Sequence, residues 1–351
     1  HNINAQTGIA YTLQASDNGK IITFSNPSPV FVKVPAGLGA GFNCQIIQIG
    51  TGQVTIAPQG TTINNRQTHN KLAGQFSKAT VAAYAANVFV LAGETRKVNL
   101  LLDMISVQPS RAFSFRKLKD GYTGNCAKVR LVSGGNWTDI GFDADDFFDE
   151  TAALAVGSNL EILFYDQSGN NNHEQILTGN SLPTLEFNYF NERVARKLTN
   201  SYVNLGNLSS FSEGEAHRLF KVSTDPPVGS EVGLFWNIGN SGESKNFPFQ
   251  DGNIYDDFGS TVRKLVGNPA LPMTAWRLYS VFSAANSWQA FLDAQSLYST
   301  TTNTVGFNSN SSLESARLMY DSDFLLFDQK LTNSDRQKIW DNIEAFYNLT
   351  F

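Results

Sequence analysis

The chain has 351 residues, of which 16% are charged, and a formal net charge of -5 at pH 7. It contains no concentrated run of lysine or arginine, so nucleic acid is excluded as an expected partner, because phosphate binding needs a basic face. No stretch approaches about 20 uninterrupted apolar residues, and we therefore expect no insertion into a membrane.

The composition favours strands and turns over helices. Glycine occurs 28 times and phenylalanine 26 times, a balance typical of β proteins with many turns. The length suits two domains, and we place them at residues 1–95 and 98–351. Cys44 and Cys126 fall on either side of this boundary, and we expect two buried free thiols rather than a disulfide.

The first domain, residues 1–95, shows short apolar runs at roughly ten-residue spacing. This spacing predicts a small all-β sandwich or barrel. Asn18 and Gly19 favour a tight reversal, so the runs at 11–13 and 21–24 are expected to form a hairpin. A second pair of strands is separated only by Ala85 and Ala86.

In the second domain, a short apolar and aromatic run at 160–165 has the length of a buried strand. The residues that follow Tyr165 are typical of turns: Asp166, Gln167, Ser168, Gly169 and Asn170. Their side chains hydrogen-bond to nearby main chain, and several tolerate left-handed backbone angles. We therefore predict a strand that runs into a long turn, with His173 hydrogen-bonded inside it.

The run from Tyr165 to His173 resembles a signature of concanavalin A-like (laminin G-like) β-sandwich domains. These domains include the catalytic domain of α-L-arabinofuranosidase B and related modules of bacteriophage tail proteins. The resemblance extends from about Arg111 to the C terminus and implies a two-sheet jelly-roll sandwich. The first domain, through Ser16 to Lys20 and Val32 to Gly37, resembles a small all-β module of phage tail and fibre proteins.

Two helices are expected in the second domain. The first spans Asp149 to Val156, with Asp149 as its N-cap and Gly157 as its stop. The second closes the chain between Thr332 and Tyr347, with Thr332 as its cap and Asp335 in a capping-box position. Its apolar positions form one stripe, which predicts packing against the sandwich.

Enzymes of the arabinofuranosidase family are retaining glycosidases, which need two carboxylates about 5 to 5.5 Å apart. The Asp-x-Glu-Asn-Asn and Gly-Gly-Asp-Asn runs of that family have no match here. The nearest stretches are 252–259, which contains Asp256 and Asp257, and 318–323. We therefore predict that the chain is not an enzyme, with a related glycoside hydrolase as an alternative.

No cofactor is expected. Asp166 and the asparagines at 170–172 offer oxygen atoms that suit calcium, but their spacing does not follow the helix-loop-helix ligand pattern, and stabilisation of the turn is the predicted role. No second His or Cys near His173 suggests zinc. None of the four histidines has a recognisable nucleophile beside it in the sequence.

Sandwich lectins hold sugars with aromatic faces and with Asp or Asn oxygens. The residues that we predict to bind carbohydrate lie in the loop-rich middle of the second domain: Trp236, Asn237, Asp251, Asn253, Tyr255, Asp257 and Trp288. Among them, the segment from Asp251 to Asp257 is our first choice. Either tryptophan is also a candidate for the core, because tryptophan is highly buried on average.

The resemblance of both domains to phage modules implies a virion protein, such as a tail fibre or a comparable appendage. Its expected partners are a host cell-surface glycan and other virion proteins, and its expected location is the phage particle, assembled in the host cytoplasm. Such appendages are commonly trimeric, so we expect a homotrimer. The alternative is a structural protein that decorates the capsid or tail and binds no ligand.

Overall fold

The computed structural model describes residues 2–65, 69–96, 100–143, 146–177, 181–190, 193–223, 235–347 and 349. The chain divides into two compact units, His1–Asn99 (unit 1) and Leu100–Phe351 (unit 2). Residues 97 and 98, at the predicted boundary, lie outside the described residues. Both units consist mostly of strands, as the composition predicts.

The strands of unit 1 are short, and most have alternating buried and exposed positions. They are β1 (Ile3–Gln6), β2 (Ala10–Thr12), β3 (Ile21–Phe24), β4 (Val30–Pro35), β5 (Asn43–Gln48), β6 (Val54–Gln59), β7 (Thr62–Asn65), β8 (Lys71–Leu72), β9 (Lys78–Ala85), β10 (Val88–Gly93) and β11 (Thr95–Arg96). A single turn of 3-10 helix, Ala15–Asp17, lies between β2 and β3.

Successive strands of unit 1 from β1 to β9 alternate between two sheets. β1, β3 and β5 pair in parallel in one sheet, and β2, β4 and β6 pair in parallel in the other. Apolar side chains from both sheets fill one core between them, which confirms the predicted sandwich. β9 and β10 pair antiparallel through the predicted second reversal.

The hairpin predicted across Asn18 and Gly19 is wrong, because β2 and β3 belong to different sheets. The loop is fastened to the start of β5 instead. Asn18 accepts a hydrogen bond from the Asn43 N–H (2.9 Å), and the Gly19 N–H donates to the Asn43 carbonyl (2.6 Å). The left-handed angle of Gly19, φ 74°, therefore turns the chain from one sheet to the other.

Unit 2 has longer strands and three helices within its described residues. The strands are β12 (Arg111–Phe113), β13 (Ala127–Leu131), β14 (Thr138–Ile140), β15 (Leu160–Phe164), β16 (Gln175–Ile176), β17 (Thr184–Phe190), β18 (Arg193–Leu198), β19 (Ser201–Gly206), β20 (Gly214–Val222), β21 (Trp236–Gly239), β22 (Ile254–Asp256), β23 (Lys264–Gly267), β24 (Arg277–Ala284), β25 (Ser287–Leu292), β26 (Gln295–Thr300), β27 (Phe307–Ser315) and β28 (Met319–Phe327). The helices are α1 (Leu101–Met104), α2 (Glu150–Val156) and α3 (Asn333–Tyr347).

Unit 2 is layered around an 11-stranded sheet, whose order is β14-β13-β15-β17-β18-β28-β20-β24-β25-β26 with β12 beside β28. One face shares a core with the four-stranded sheet β16-β19-β27-β21. The opposite face shares a second core with α1 and α3. All nine positions of β28 are buried, because both faces of this central strand are covered.

Both predicted helices of unit 2 are confirmed. Asp149 caps α2 by accepting the Ala152 N–H (2.9 Å), and the Thr332 hydroxyl caps α3 by accepting the Asp335 N–H (3.1 Å). The Asp335 carboxylate accepts hydrogen bonds from Ser106 on the adjoining segment. No described helix is long and apolar enough to cross a membrane. Cys44 and Cys126 are buried free thiols, as predicted.

Candidate functional site

The turn after β15 is held by hydrogen bonds within the protein. The Asp166 carboxylate accepts the N–H groups of Ala112 (2.9 Å), Ser168 (2.9 Å) and Asn172 (3.0 Å). The Asp166 N–H donates to His173 Nδ1 (3.0 Å). His173 is thus hydrogen-bonded inside the turn, as predicted, and Asp166 joins the turn to the backbone of β12.

The same turn fastens the segment that follows β12. The Gln167 amide donates to the carbonyls of Ser114 (2.9 Å) and Arg116 (3.0 Å) and accepts the Leu118 N–H (2.8 Å). The Asn170 side-chain amide donates to the Pro109 carbonyl (3.0 Å).

The part of the chain that the structure describes contains no group of three His, Cys, Asp or Glu side chains able to hold a metal ion.

Two of the predicted sugar-binding residues belong to the core. Trp236 and Trp288 are both 0% exposed. Trp236 Nε1 donates to Asp256 (2.9 Å) and Trp288 Nε1 to the Phe258 carbonyl (2.8 Å). Neither ring offers a face to a ligand, so the binding role predicted for the two tryptophans is wrong. Their indoles fill the core and satisfy buried polar groups.

Asp257 is also 0% exposed, and the direct sugar contact predicted for it is wrong. Its Oδ2 accepts hydrogen bonds from the Ser241 N–H (3.1 Å) and hydroxyl (2.5 Å). The Lys245 ammonium lies 3.4 Å from the same oxygen. Asp257 can pack this closely because residue 239 is a glycine: a Cβ on Gly239 would lie 1.8 Å from the Asp257 carbonyl oxygen. Asp257 is therefore a buried residue that holds Ser241 and Lys245 in position.

Asp251, Asn253 and Tyr255 lie together at the surface, in the turn that leads into β22 and on the first residues of that strand. The Tyr255 hydroxyl donates to Asp251 (2.7 Å), and so does the Asn253 N–H (2.9 Å). The Arg263 guanidinium lies 5.0 Å from the centre of the Tyr255 ring. Both oxygens of Asp251 thus have partners inside their own turn, and no contact described here joins this turn to Asn237.

Asn237 lies on the outward side of the four-stranded sheet. Trp236 and Ile238 point into the core, and Asn237 between them points out, as strand alternation requires. Cross-strand pairing places Ser312 opposite both Asn237 and Asn204, and Glu314 opposite Tyr202. We call this surface the outer polar face; its residues are Tyr202, Asn204, Asn237, Ser312 and Glu314.

A depression of about 360 Å³ opens on the outer polar face. Its lining includes Asn237, Lys245, Asn308 and Glu314. Lys245 Nζ donates to Asn237 Oδ1 (3.3 Å), and Asn308 Nδ2 donates to the same oxygen (3.0 Å). These two donors fix which way the Asn237 amide points.

Glu314 is half-buried beside this depression. Desolvation by burial raises the pKa of its carboxyl, partly offset by a hydrogen bond from Ser312 and by the charge of Lys245. Ser312 donates to Oε1, whereas no described residue donates to Oε2. The site thus combines an open acceptor on Glu314, a fixed amide on Asn237 and a half-buried aromatic ring on Tyr202.

Sequence reasoning identified Asn237 but missed Tyr202, Lys245, Asn308 and Glu314, which come from separate segments of the chain. The alternation in Ser-Tyr-Val-Asn-Leu-Gly at 201–206 was the available signal. It places Tyr202 and Asn204 on the face opposite the buried Val203 and Leu205.

A Ser-His-acid array also occurs in unit 2, although none was recognisable in the sequence. Ser280 Oγ lies 2.8 Å from His217 Nδ1, and Glu215 Oε1 lies 3.2 Å from His217 Nε2. Trp340 donates to Ser280 (3.0 Å) and Arg336 pairs with Glu215 (2.6 Å). The three residues are at most 1% exposed, so no substrate reaches Ser280 and the array is part of the core.

No protein-family model matches this chain, and no curated protein matches it in sequence. Among solved structures, a GH54 α-L-arabinofuranosidase variant soaked with 4-nitrophenyl α-L-arabinofuranoside has a TM-score of 0.51 at 13% identity. A GH54 α-L-arabinofuranosidase soaked with a cyclic sulfate inhibitor has a TM-score of 0.50 at 14% identity. Both likenesses cover 68% of this chain.

The chain shares the fold of these arabinofuranosidases. It spans 62% of their length, and at this identity the likeness concerns the fold alone. The β-sandwich implied by the run from Tyr165 to His173 is thus confirmed.

Proposed function

We propose that this chain binds carbohydrate through the outer polar face. The observation that carries the proposal is the presence of Tyr202, Asn237 and Glu314 on one outward surface. Aromatic faces stack on the apolar C–H patches of sugars, and carboxylate and amide groups bond to sugar hydroxyls. The fold shared with arabinofuranosidases, one of them soaked with an arabinofuranoside, supports a carbohydrate as the ligand.

We propose binding without hydrolysis. A retaining glycosidase needs two carboxylates about 5 to 5.5 Å apart that both reach the sugar. Beside Glu314, the nearby Asp257 is buried against Lys245 and Ser241, and Glu243 at the rim pairs with Arg263 (2.9 Å). Glu314 is therefore the carboxylate of the three that is neither fully buried nor paired with an arginine, which suits a ligand contact better than a two-carboxylate mechanism.

The wider role that we propose is attachment of a phage to its host by a tail fibre or comparable virion appendage. The resemblance of both units to phage tail modules supports this role. A homotrimer would present three outer polar faces at once, and multivalency turns weak sites into firm attachment. Multi-angle light scattering of the full chain at micromolar concentration tests the trimer, and a monomer would contradict it.

A glycan array probed with the labelled full chain tests carbohydrate binding. We expect binding to at least one glycan class and a loss of about tenfold for Tyr202→Ala, the size of one stacking contact. Tyr84→Ala is the matched control, since Tyr84 is an exposed tyrosine in unit 1. A wild-type chain that binds no glycan would overturn the proposal and favour a purely structural virion protein.

A further inference from the structure

We infer that the outer polar face selects an uncharged sugar that presents two adjacent hydroxyl groups, and that it discriminates against sugars carrying a carboxylate. This inference rests on the proposed function and names the ligand class of the same site. It follows from the hydrogen-bonding capacity that Asn237 and Glu314 retain, and from the charges around them.

Asn237 supplies a donor of fixed direction. Its Oδ1 accepts from both Lys245 Nζ (3.3 Å) and Asn308 Nδ2 (3.0 Å), so the amide cannot reverse without placing its NH2 group against two other donors. Asn237 Nδ2 has no acceptor among the described residues. The NH2 group therefore remains available to donate to a ligand oxygen in the depression.

Glu314 supplies the matching acceptor. Ser312 occupies Oε1, and Oε2 has no donor in the described part of the chain. A carboxylate accepts hydrogen bonds only, so a ligand group that bonds to Oε2 must donate. A hydroxyl group meets this requirement, and a ligand carboxylate does not.

The two groups are spaced for one ligand. Asn237 pairs with Ser312 across the strands, and Glu314 lies two residues further along the same face. Such diagonal neighbours have Cα atoms roughly 7 to 8 Å apart. In the proposed complex a pair of adjacent hydroxyls, each about 2.8 Å from its protein partner, bridges the two side chains, with one hydroxyl accepting from Asn237 and the other donating to Glu314.

The local charge disfavours an anionic sugar. Among the described residues that line the depression, Lys245 supplies the ammonium group; it is already 3.4 Å from the buried Asp257 carboxylate and interacts with Glu314. At the rim, Glu243 is paired with Arg263. One cation therefore faces two carboxylates, Asp257 and Glu314, and an incoming carboxylate would meet net negative charge in a partly desolvated site.

The test is a glycan array that carries neutral, uronate-containing, sialylated and amino-sugar glycans, probed with the full chain at pH 7.5. We expect the neutral glycans to bind, at least tenfold better than the acidic ones. Mild periodate cleaves the carbon–carbon bond between adjacent hydroxyls, and treated glycans should lose at least tenfold in binding. Preferential binding of acidic or amino-sugar glycans, or binding that survives periodate, would overturn this inference and leave the proposed carbohydrate binding in place.

Glu314→Gln separates this inference from a general loss of binding. The variant keeps the shape of the side chain but replaces the charged acceptor, and hydrogen bonds to charged groups correspond to a loss of roughly 10- to 100-fold. It also removes one negative charge, so the ratio of acidic to neutral glycan binding should rise. Glu186→Gln, an exposed glutamate on β17 paired with Lys197, is the matched control and should change neither quantity.

These experiments distinguish the assigned ligand class from the proposal that the chain binds carbohydrate at all. Neutral-glycan binding that is lost in Tyr202→Ala but unchanged in Glu314→Gln would overturn the ligand assignment and leave carbohydrate binding in place. Absence of binding to every glycan class would overturn the proposed function, and this inference with it. Circular dichroism of each variant confirms that it folds.

Discussion

Two polar regions of unit 2 look similar in sequence and differ in how they use their hydrogen bonds. In the turn from Tyr165 to His173, the carboxylate of Asp166 and the amide of Gln167 are bonded to protein groups throughout. On the outer polar face, Asn237 Nδ2 and Glu314 Oε2 have no hydrogen-bond partner among the described residues. The first region holds segments of the fold together, and the second can take a ligand.

The comparison shows that residue type alone does not separate structural from binding residues. Aspartate, asparagine and aromatic residues occur in both regions, and the difference appears only when their partners are known. Buried polar groups favour partners inside the protein; Asp166 bonds through both oxygens and Asp257 through Oδ2, so these oxygens are committed to the fold. Half-exposed groups such as Glu314 are not bound by this requirement.

The largest effect that we expect comes from the turn. Asp166→Ala removes the acceptor of three backbone N–H groups in a side chain that is 1% exposed. Because buried donors left without partners cost about 1 to 3 kcal/mol each, we expect the free energy of unfolding to fall by about 3 to 5 kcal/mol. Urea denaturation measures it.

Asp139→Ala is the control for this turn, since Asp139 is exposed and, among the described side chains, accepts a hydrogen bond from the Tyr165 hydroxyl at the edge of the turn (2.6 Å). A surface change of this kind should alter stability by about 1 kcal/mol or less. Equal losses in the two variants would show that the internal bonds of Asp166 do not hold the segment after β12.

The fold was predictable from sequence where a local pattern determines it. The caps of α2 and α3 depend on Asp149 and Thr332 and on residues three positions away, so both helices were found. The strand exchange between sheets in unit 1 depends on Asn18 bonding to the distant Asn43, which no local turn rule includes. The hairpin prediction failed for that reason.

The candidate site was less predictable for the same physical reason. Tyr202, Asn237 and Glu314 become neighbours only through the pairing of β19, β27 and β21. Trp236 and Trp288 were predicted to bind carbohydrate because tryptophan can either fill a core or stack on a sugar. Only their contacts in the folded chain show that they are buried. A cluster within seven positions, such as Asp251 to Asp257, was easier to notice than one assembled from three strands.

Asp257→Ala tests the support beneath the outer polar face and should have the next largest effect. It removes the partner of Lys245, which is itself buried (6% exposed), and of Ser241. We expect a loss of about 2 to 3 kcal/mol in the free energy of unfolding together with weaker glycan binding. Unchanged stability with lost binding would restore the prediction that Asp257 contacts the sugar directly.

A different kind of effect, spread over several pH units, should appear as a pH dependence of stability. Desolvation by burial, with the neighbouring Asp257 charge as a further cause, raises the pKa of Asp256 to about 7. The unfolded chain has the ordinary value near 3.9, so between about pH 4 and pH 7 the folded state binds more protons. The contribution of Asp256 to the free energy of unfolding is therefore fully present below about pH 4. It is lost as the pH rises to and through 7, by about 1.4 kcal/mol per pH unit.

Unfolding of the wild type and of Asp256→Asn at pH 5, 6, 7 and 8 measures this contribution. The difference in free energy between the two proteins should change with pH up to about 7 and then level off, because the variant lacks the titrating group. Other carboxyls with raised pKa, such as Glu174, cancel in the difference. A difference that stays constant from pH 5 to pH 8 would show that Asp256 does not titrate in this range.

The smallest effect on the fold is expected at the surface turn that was our first choice for the binding site. Asp251→Ala and Tyr255→Ala remove a hydrogen bond (2.7 Å) that is confined to this turn, so the melting temperature should stay near that of the wild type. Glycan binding should also stay within twofold, because the oxygens of Asp251 are already occupied. Tyr202→Ala and Asn237→Ala on the outer polar face should leave the melting temperature similarly unaffected and lower binding about tenfold. The reverse result, with binding lost in Asp251→Ala and Tyr255→Ala and kept in Tyr202→Ala and Asn237→Ala, would move the site to the turn and show that occupied carboxylates exchange their internal partners for sugar hydroxyls.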